Sequence, residues 1–385
     1  MSGLNTCELL VDGRIYGGWL EISVERSIEQ IAGSFELQLT ARWPGADVAQ
    51  GLREGLPCEV RLGGETVLTG YVDSYEPDLT SASTGIRVSG RCRTGDLVDC
   101  AAIYKTGAWR GVKLDRIVRD IVAPFGLKVE VAPGVDMGET FKRFALEDGE
   151  RAFDAIDRAC RLRAILCTST PAGNVLLTLA SDESTGVSLR EGVNIKRIQA
   201  VHSWKERHSL VILKAQTPGD DDESGAAAAQ LKVTAKDAEI NRYRPLVVMA
   251  EHHTSSGSLA DRAAWEVKVR MGRGKRGRLT VVGWRTGKDG MEGPLWKPNT
   301  LVRVDSGRMN LDDDMLIVAC SYQLSGSGLA TELTFVRREA FELVEGASRP
   351  RLGKRLSDRT NRDKTKRGDG FTSSWDLTPP EEANR

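Results

Sequence analysis

The sequence predicts an α+β, β-rich fold: two similar small antiparallel β-barrels, an inserted α+β domain and a disordered basic C-terminal tail. Three observations predict it. A run of strand and turn signals beginning at Trp43 is echoed by a second run beginning at Trp284. Forty glycines stand against thirteen prolines, a balance that suits many tight turns. Helical periodicity is confined to three short segments.

The echo has a common plan. From Trp284 a Gly-rich link (Gly287, Gly290, Gly293) leads to Pro298, an alternating run 301–305, a turn, apolar 315–318, Ser321-Tyr322, a Ser/Gly turn at 325–328 and a strand 331–338. From Trp43, Gly45, Gly51 and Gly55 lead to Pro57, then 58–62, a Gly-Gly turn, Val67-Leu68, Ser74-Tyr75, a turn through 81–85 and a strand 86–91. Trp to Pro spans 14 residues in both copies; Pro to Tyr spans 18 in one and 24 in the other, a difference that a longer turn at 309–314 accounts for. A unit of hairpins used twice reads as one antiparallel design repeated.

The remaining elements follow in order. Residues 7–11 are apolar, and Asp12-Gly13 signals a hairpin into 14–16. Residues 19–24 alternate, and 35–40 alternate with Phe35, Leu37 and Leu39 on one face. These strands and those of the first unit make a barrel over 1–95. The period then changes. Leu114, Ile117, Val118 and Ile121 predict an amphipathic helix over 113–122, stopped near Pro124. A strand at 127–131, a helix over 147–161 and a hairpin of 164–168 with 175–179 complete an α+β insert at 96–190. The second barrel spans 191–345. It carries an acidic exposed loop at 217–225, a strand at 243–250 that Pro245 places at an edge or a start, and a helix at 258–271 with Leu259, Ala263, Val267 and Met271 in one stripe and Ser258 and Asp261 as a capping pair. The tail 346–385 is too polar to bury enough apolar surface to offset chain entropy.

Composition narrows the chemistry. Fifty-four basic and 54 acidic side chains give zero formal charge, so nothing global asks for nucleic acid or an acidic membrane. The tail holds 10 Lys+Arg and 6 Asp+Glu, leaving a mildly acidic body of 44 and 48. The seven cysteines form no CxxC pair and read as buried reduced thiols. The opening residues lack the features of a signal peptide and no apolar run spans a bilayer, so the expectation is a soluble protein made in a cytosol.

Candidate sites fail one by one. His202 and His208 can share a face but lack further ligands, and His252-His253 sit at a strand end. The acids 220–223 and 312–314 lack calcium-loop spacing and read as solvated turns. The glycines and lysine of 272–277 follow a helix, whereas a phosphate loop precedes one. The basic stretch 270–278 is read as a solvated helix end, with a weak phosphate or partner contact as the alternative. No catalytic, cofactor-binding or metal-binding residue is assigned, and no cofactor. An assembly module is favoured over an enzyme.

The residues also resemble a family. The opening 11–19, then 24–29 and 32–37, Thr69-Gly70-Tyr71-Val72-Asp73-Ser74, 94–104, 233–238, Arg242-Tyr243-Arg244-Pro245, and Trp284 with Lys288-Asp289-Gly290, Leu295-Trp296 and Pro298-Asn299 are similar to the baseplate hub protein of Mu-like contractile phages. The similarity runs in order over 7–345 and leaves the tail outside it. The resemblance implies a homotrimer presenting six barrels in a ring. Such a ring matches a six-fold tail tube above and a trimeric membrane-piercing spike below, among other baseplate proteins. DNA would pass its central channel without sequence-specific binding. It implies a place in the virion tail baseplate, after assembly in the bacterial host cytoplasm and without stable membrane insertion. A DNA-free injector such as an R-type bacteriocin or a type VI-like device would use the same fold. A tail-associated peptidoglycan hydrolase or a carbohydrate-binding module would need a poised carboxylate pair or exposed aromatic platforms.

Overall fold

The computed structural model describes residues 3–41, 51–79, 84–215, 231–250 and 256–342. Trp43, the acidic loop 217–225, His252, His253 and the tail 346–385 lie outside the described residues, as do the side chains of Ser258, Leu259 and Asp261.

Strands β1 (Cys7–Val11) and β2 (Arg14–Tyr16) form a hairpin on Asp12 and Gly13, both at positive φ as a two-residue type I′ turn requires. There follow β3 (Glu21–Ser27), β4 (Ser34–Ala41), β5 (Pro57–Leu62), β6 (Glu65–Leu79) and β7 (Thr84–Cys92). Their period-two apolar residues point one way: Ile22 and Val24, Phe35 and Leu37, Cys58, Val60 and Leu62 are all buried in one cluster.

The next segment builds a second core. It comprises α1 (Gly95–Asp99), β8 (Ala108–Trp109), α2 (Leu114–Val122), β9 (Val129–Val131), β10 (Phe144–Ala145), α3 (Ala152–Arg161), β11 (Leu166–Ser169) and β12 (Val175–Thr178). Leu114, Ile117, Val118 and Ile121 are buried on the predicted stripe of α2. The helix expected over 147–161 begins only at Ala152. Residues before it are held in other ways: Arg151 bridges Ala101, and Glu150 takes two hydrogen bonds from Arg158 at 2.9 and 2.7 Å.

The chain returns through β13 (Ser184–Arg190) and β14 (Ile195–His202). A side sheet follows: β15 (Leu210–Ala215), β16 (Leu231–Lys236) and β17 (Pro245–Ala250), the last opening on its proline. Helix α4 (Ser256–Arg273) is longer than the expected 258–271 and packs on two sides. Ala263 and Val267 face Val211 and Leu213 of the side sheet, while Trp265 donates its indole N–H to the Glu342 carbonyl at 2.6 Å. Strands β18 (Lys275–Val282), β19 (Leu301–Ser306), β20 (Leu311–Ser325) and β21 (Gly328–Arg337) complete the chain.

The two halves repeat one plan. In the first, chain order β3, β4, β5, β6, β7 gives sheet order β3-β4-β7-β6-β5; in the second, chain order β14, β18, β19, β20, β21 gives β14-β18-β21-β20-β19, every pairing antiparallel. Both long strands are 15 residues and both carry a bulge against the next strand, between Val72 and Ser74 in β6 and between Ile317 and Ala319 in β20. The bulges fix the correspondence: Val72 matches Ile317, and Gly90 matches Phe335. From there Leu301 matches Pro57 and Cys320 matches Tyr75. The pairing of Pro57 with Pro298 and of Tyr75 with Tyr322, read from residue identity, is therefore three and two residues out of register.

A further correspondence was invisible as identity. Phe35 of β4 lies opposite Gly90 of β7, and Gly277 of β18 lies opposite Phe335 of β21. The same site holds a Phe–Gly pair in both halves, with the partners exchanged. The ring lies over the glycine in each case: an added Cβ would sit 2.7 Å from Phe35 at Gly90 and 2.6 Å from Phe335 at Gly277. It would also meet a main-chain carbonyl, Tyr71 O at 2.1 Å and Gln199 O at 2.5 Å. Gly90→Ala and Gly277→Ala should each lose about 3 kcal/mol in urea unfolding, since backbone cannot yield as a side chain does. Gly85→Ala, whose Cβ would have its nearest neighbour at 3.7 Å, should leave the midpoint nearly unchanged.

Candidate assembly interface

The two halves meet along a strand edge. Residues 22–27 of β3 pair antiparallel with 319–324 of β20, Ser27 opposite Ala319 and Ile22 opposite Leu324. The bulge at Val318 separates two pairings: β20 runs beside β19 over residues 311–316 and beside β3 over 319–324. Side chains of the second half brace β20 and the strands beside it. Trp284, fully buried, donates to the Gln323 carbonyl at 3.1 Å; Tyr322 donates to the Trp296 carbonyl; Thr331 donates to the Gly283 carbonyl at 2.7 Å. One apolar cluster therefore runs unbroken from Cys7 to Phe335. The insert is tied to the same place, with Arg26 donating to the Ser169 carbonyl at 3.2 Å and Thr168 to the Ser27 carbonyl at 3.2 Å.

Arg285 adds an ionic link between the halves. Its Nη1 donates at 2.7 Å to Glu65, at the β5–β6 turn, and at 2.7 Å to the Gly293 carbonyl. Its side chain is 4% exposed against 49% for Glu65. Arg207 and Asp237, 6% and 2% exposed, make a two-pronged pair at 2.8 and 2.9 Å where the β15–β16 ladder ends. Neither pair was found by sequence reasoning. Partners 220 and 30 residues apart leave no spacing signal to read.

The residues weighed from sequence are dispersed. His202 is exposed on β14 and its Nε2 lies 2.7 Å from the Met309 carbonyl. His208 is half-buried, and its desolvation, then the Arg270 charge, push its pKa below the usual value. Among the described residues no three His, Cys, Asp or Glu side chains gather as a metal site. None of the seven cysteines is in a disulfide; six are buried and Cys100 is exposed. Burial raises the Cys7 and Cys58 thiols to about 12.

The basic stretch 270–278 corrects the expectation of a solvated helix end. Arg270 pairs with Glu266, Arg273 with Glu206, Lys275 with Asp313 and Arg278 with Glu332. The acids 312–314 lie in β20 and not in a turn; Asp312 and Asp314 stay exposed to solvent beside Arg303, while Asp313 is held by Arg337 and Lys275. Burial works against charge on Asp313, but the Arg337 and Lys275 hydrogen bonds outweigh it and hold the carboxyl below its ordinary range.

Twin antiparallel units joined edge to edge, with their charges used in internal pairs, define a structural protein whose work is assembly. Comparison with known proteins gives the particular kind. Family models match in four consecutive pieces: Mu phage baseplate assembly protein GpP-like, N-terminal, at 6–92; baseplate hub protein gp44-like, second domain, at 94–179; tail protein NMB1110-like, third domain, at 207–265; and Mu phage baseplate assembly protein GpP, fourth domain, at 255–344. The chain is 33% identical to baseplate hub protein gp44 of Escherichia phage Mu over 91% of its own length and 92% of that protein. It is similar to the 43 kDa tail protein of prophage MuSo2 from Shewanella oneidensis, with 34% identity, TM-score 0.77 and 88% and 100% of the two chains covered. A tail protein from Neisseria meningitidis MC58 shares the fold at 22% identity, TM-score 0.71 and coverage of 88% and 99%. The chain belongs to the Mu-type baseplate hub family, structural proteins of the phage tail and not enzymes.

Two outcomes test the internal links. Glu65→Gln leaves the buried Arg285 without its carboxylate and should cost about 2 kcal/mol, less than for a fully buried pair because Glu65 is half-exposed. For Asp313 the folded pKa is depressed, so its pairing contributes fully above the unfolded value near 3.8 and is lost as pH falls through the folded one. Asp313→Asn should be less stable than the parent at pH 6, and the gap should shrink progressively as urea midpoints are followed into acid, below the ordinary carboxylate range.

Proposed function

We propose that this chain is a baseplate hub that forms a homotrimeric ring. In it six pseudo-equivalent units, two from each chain, adapt a six-fold tail tube above to a three-fold membrane-piercing spike below. The single observation that carries the reading is the repeat itself: five strands in one chain order, one sheet order and one bulge register, used twice. Two partners of different symmetry can be served by one ring when each chain presents the same unit twice but differs in what is inserted. The insertions do differ. Eight elements from α1 to β12 separate the two units, and β15 to β17 with α4 stand between β14 and β18, where β3 and β4 have only a short turn. We assign the units to 1–95 and 191–345, and give the insert 96–190 the part of a cup that widens the lower end for the spike. DNA would leave through the central channel, whose lining must be near-neutral or acidic to avoid trapping phosphate.

Native mass measurement on the purified chain, alone and mixed with its spike, should give a species of three chains. Electron-microscope images down its axis should show six lobes. A dimer, or a ring with another number of lobes, would overturn the reading, as would a continuous Lys/Arg girdle around the pore.

A further inference from the structure

The repeat leaves two strand edges whose counterparts are already joined inside the chain. The seam pairs 319–324 of β20 with 22–27 of β3. In the first half, the segment of β6 that matches 319–324 is 74–79, which pairs with β7 on one side and with no described strand on the other. In the second half, the strand that matches β3 is β14, which ends the sheet: β18 lies on one side and no described strand on the other. Among the described strands, one copy of each edge that the seam brings together is therefore left unpaired.

The free edges are also incompletely covered. At the seam Ile22 and Val24 are 4% and 0% exposed. Their counterparts on β14, Ile198 and Ala200, are only half-buried against the same core, as is Tyr75 on β6. Charge is complementary too: Glu76 and Asp78 are exposed on the β6 edge, and Lys196 and Arg197 on β14.

We propose that β14 of one chain pairs antiparallel with residues 74–79 of β6 in a second copy of this chain, in the register of the internal seam. Transferring that register through the matched bulges sets Glu76 opposite Val201, Pro77 opposite Ala200 and Asp78 opposite Gln199, with Arg197 diagonal to Asp78. Pro77 withholds one N–H, so the other residues carry the ladder. The contact joins two different edges, so it is head-to-tail, and repeated it closes a ring or grows a filament. The inference rests on the ring reading above and names the surface that closes it.

Disulfide trapping tests it, in a Cys100→Ser background that removes the exposed native thiol. Asp78 and Gln199 are both exposed, so a cysteine at either leaves the core intact. Opposed residues of an antiparallel pair have Cα atoms about 4.5–5.5 Å apart, within disulfide reach. Asp78→Cys and Gln199→Cys made in separate chains should give no cross-link alone and a covalent dimer when mixed and oxidised. Both changes in one chain should give a ladder ending at the covalent trimer. The offset pair Asp78→Cys with Val201→Cys should trap about tenfold less. A trimer by mass that shows no cross-link, or equal trapping at both offsets, would overturn this pairing while leaving the ring reading standing. Cross-linking of Asp78→Cys alone would show a two-fold contact and also overturn the pairing. A chain that stays monomeric with and without its spike would overturn both.

Discussion

One antiparallel pairing, residues 22–27 against 319–324, holds the two halves of this chain in a single sheet. Nearly 300 residues separate its partners, so the pairing closes a very long loop, and the closure entropy must be offset by what the contact buries. The unbroken apolar cluster along the seam supplies that burial. The bulge at Val318 marks where it begins. The β19 pairing ends at Leu316 and the β3 pairing begins at Ala319, one on each side of the bulge.

The same place organises the rest. The insert is anchored through Arg26 and Thr168 at the end of β3, so a part with its own helices and its own core is held at the join of the two units. Arg285 and Glu65 fasten the second unit to the β5–β6 turn of the first. The charged stretches 270–278 and 312–314 turn out to be used in pairs within a helix, between helix and loop, and between strands. For a structural protein of the phage baseplate, a rigid relation between the two units matters more than any reactive group.

The two halves have diverged in residues while keeping register. The Phe–Gly site shows how: a ring over a bare backbone fills the same space whichever strand supplies the ring, so the partners could exchange. Such an exchange erases identity without changing shape. It explains why the repeat was legible as an order of turns and strands, yet misaligned by two and three residues when prolines and tyrosines were matched. The bulge, a property of the hydrogen-bond ladder, leaves no mark that a single sequence displays.

Periodicity by itself determined the β-rich class, the α2 stripe of Leu114, Ile117, Val118 and Ile121, the Asp12-Gly13 hairpin and the proline that opens β17, because each depends on neighbours in the chain. The family resemblance was legible for a similar reason, as ordered short motifs. Tertiary structure alone decided that β3 meets β20, that Arg285 finds Glu65, and that Asp313 is held by Arg337 and Lys275. Those are contacts between residues tens to hundreds of positions apart, chosen by how whole sheets fit together, and local pattern carries no information about them.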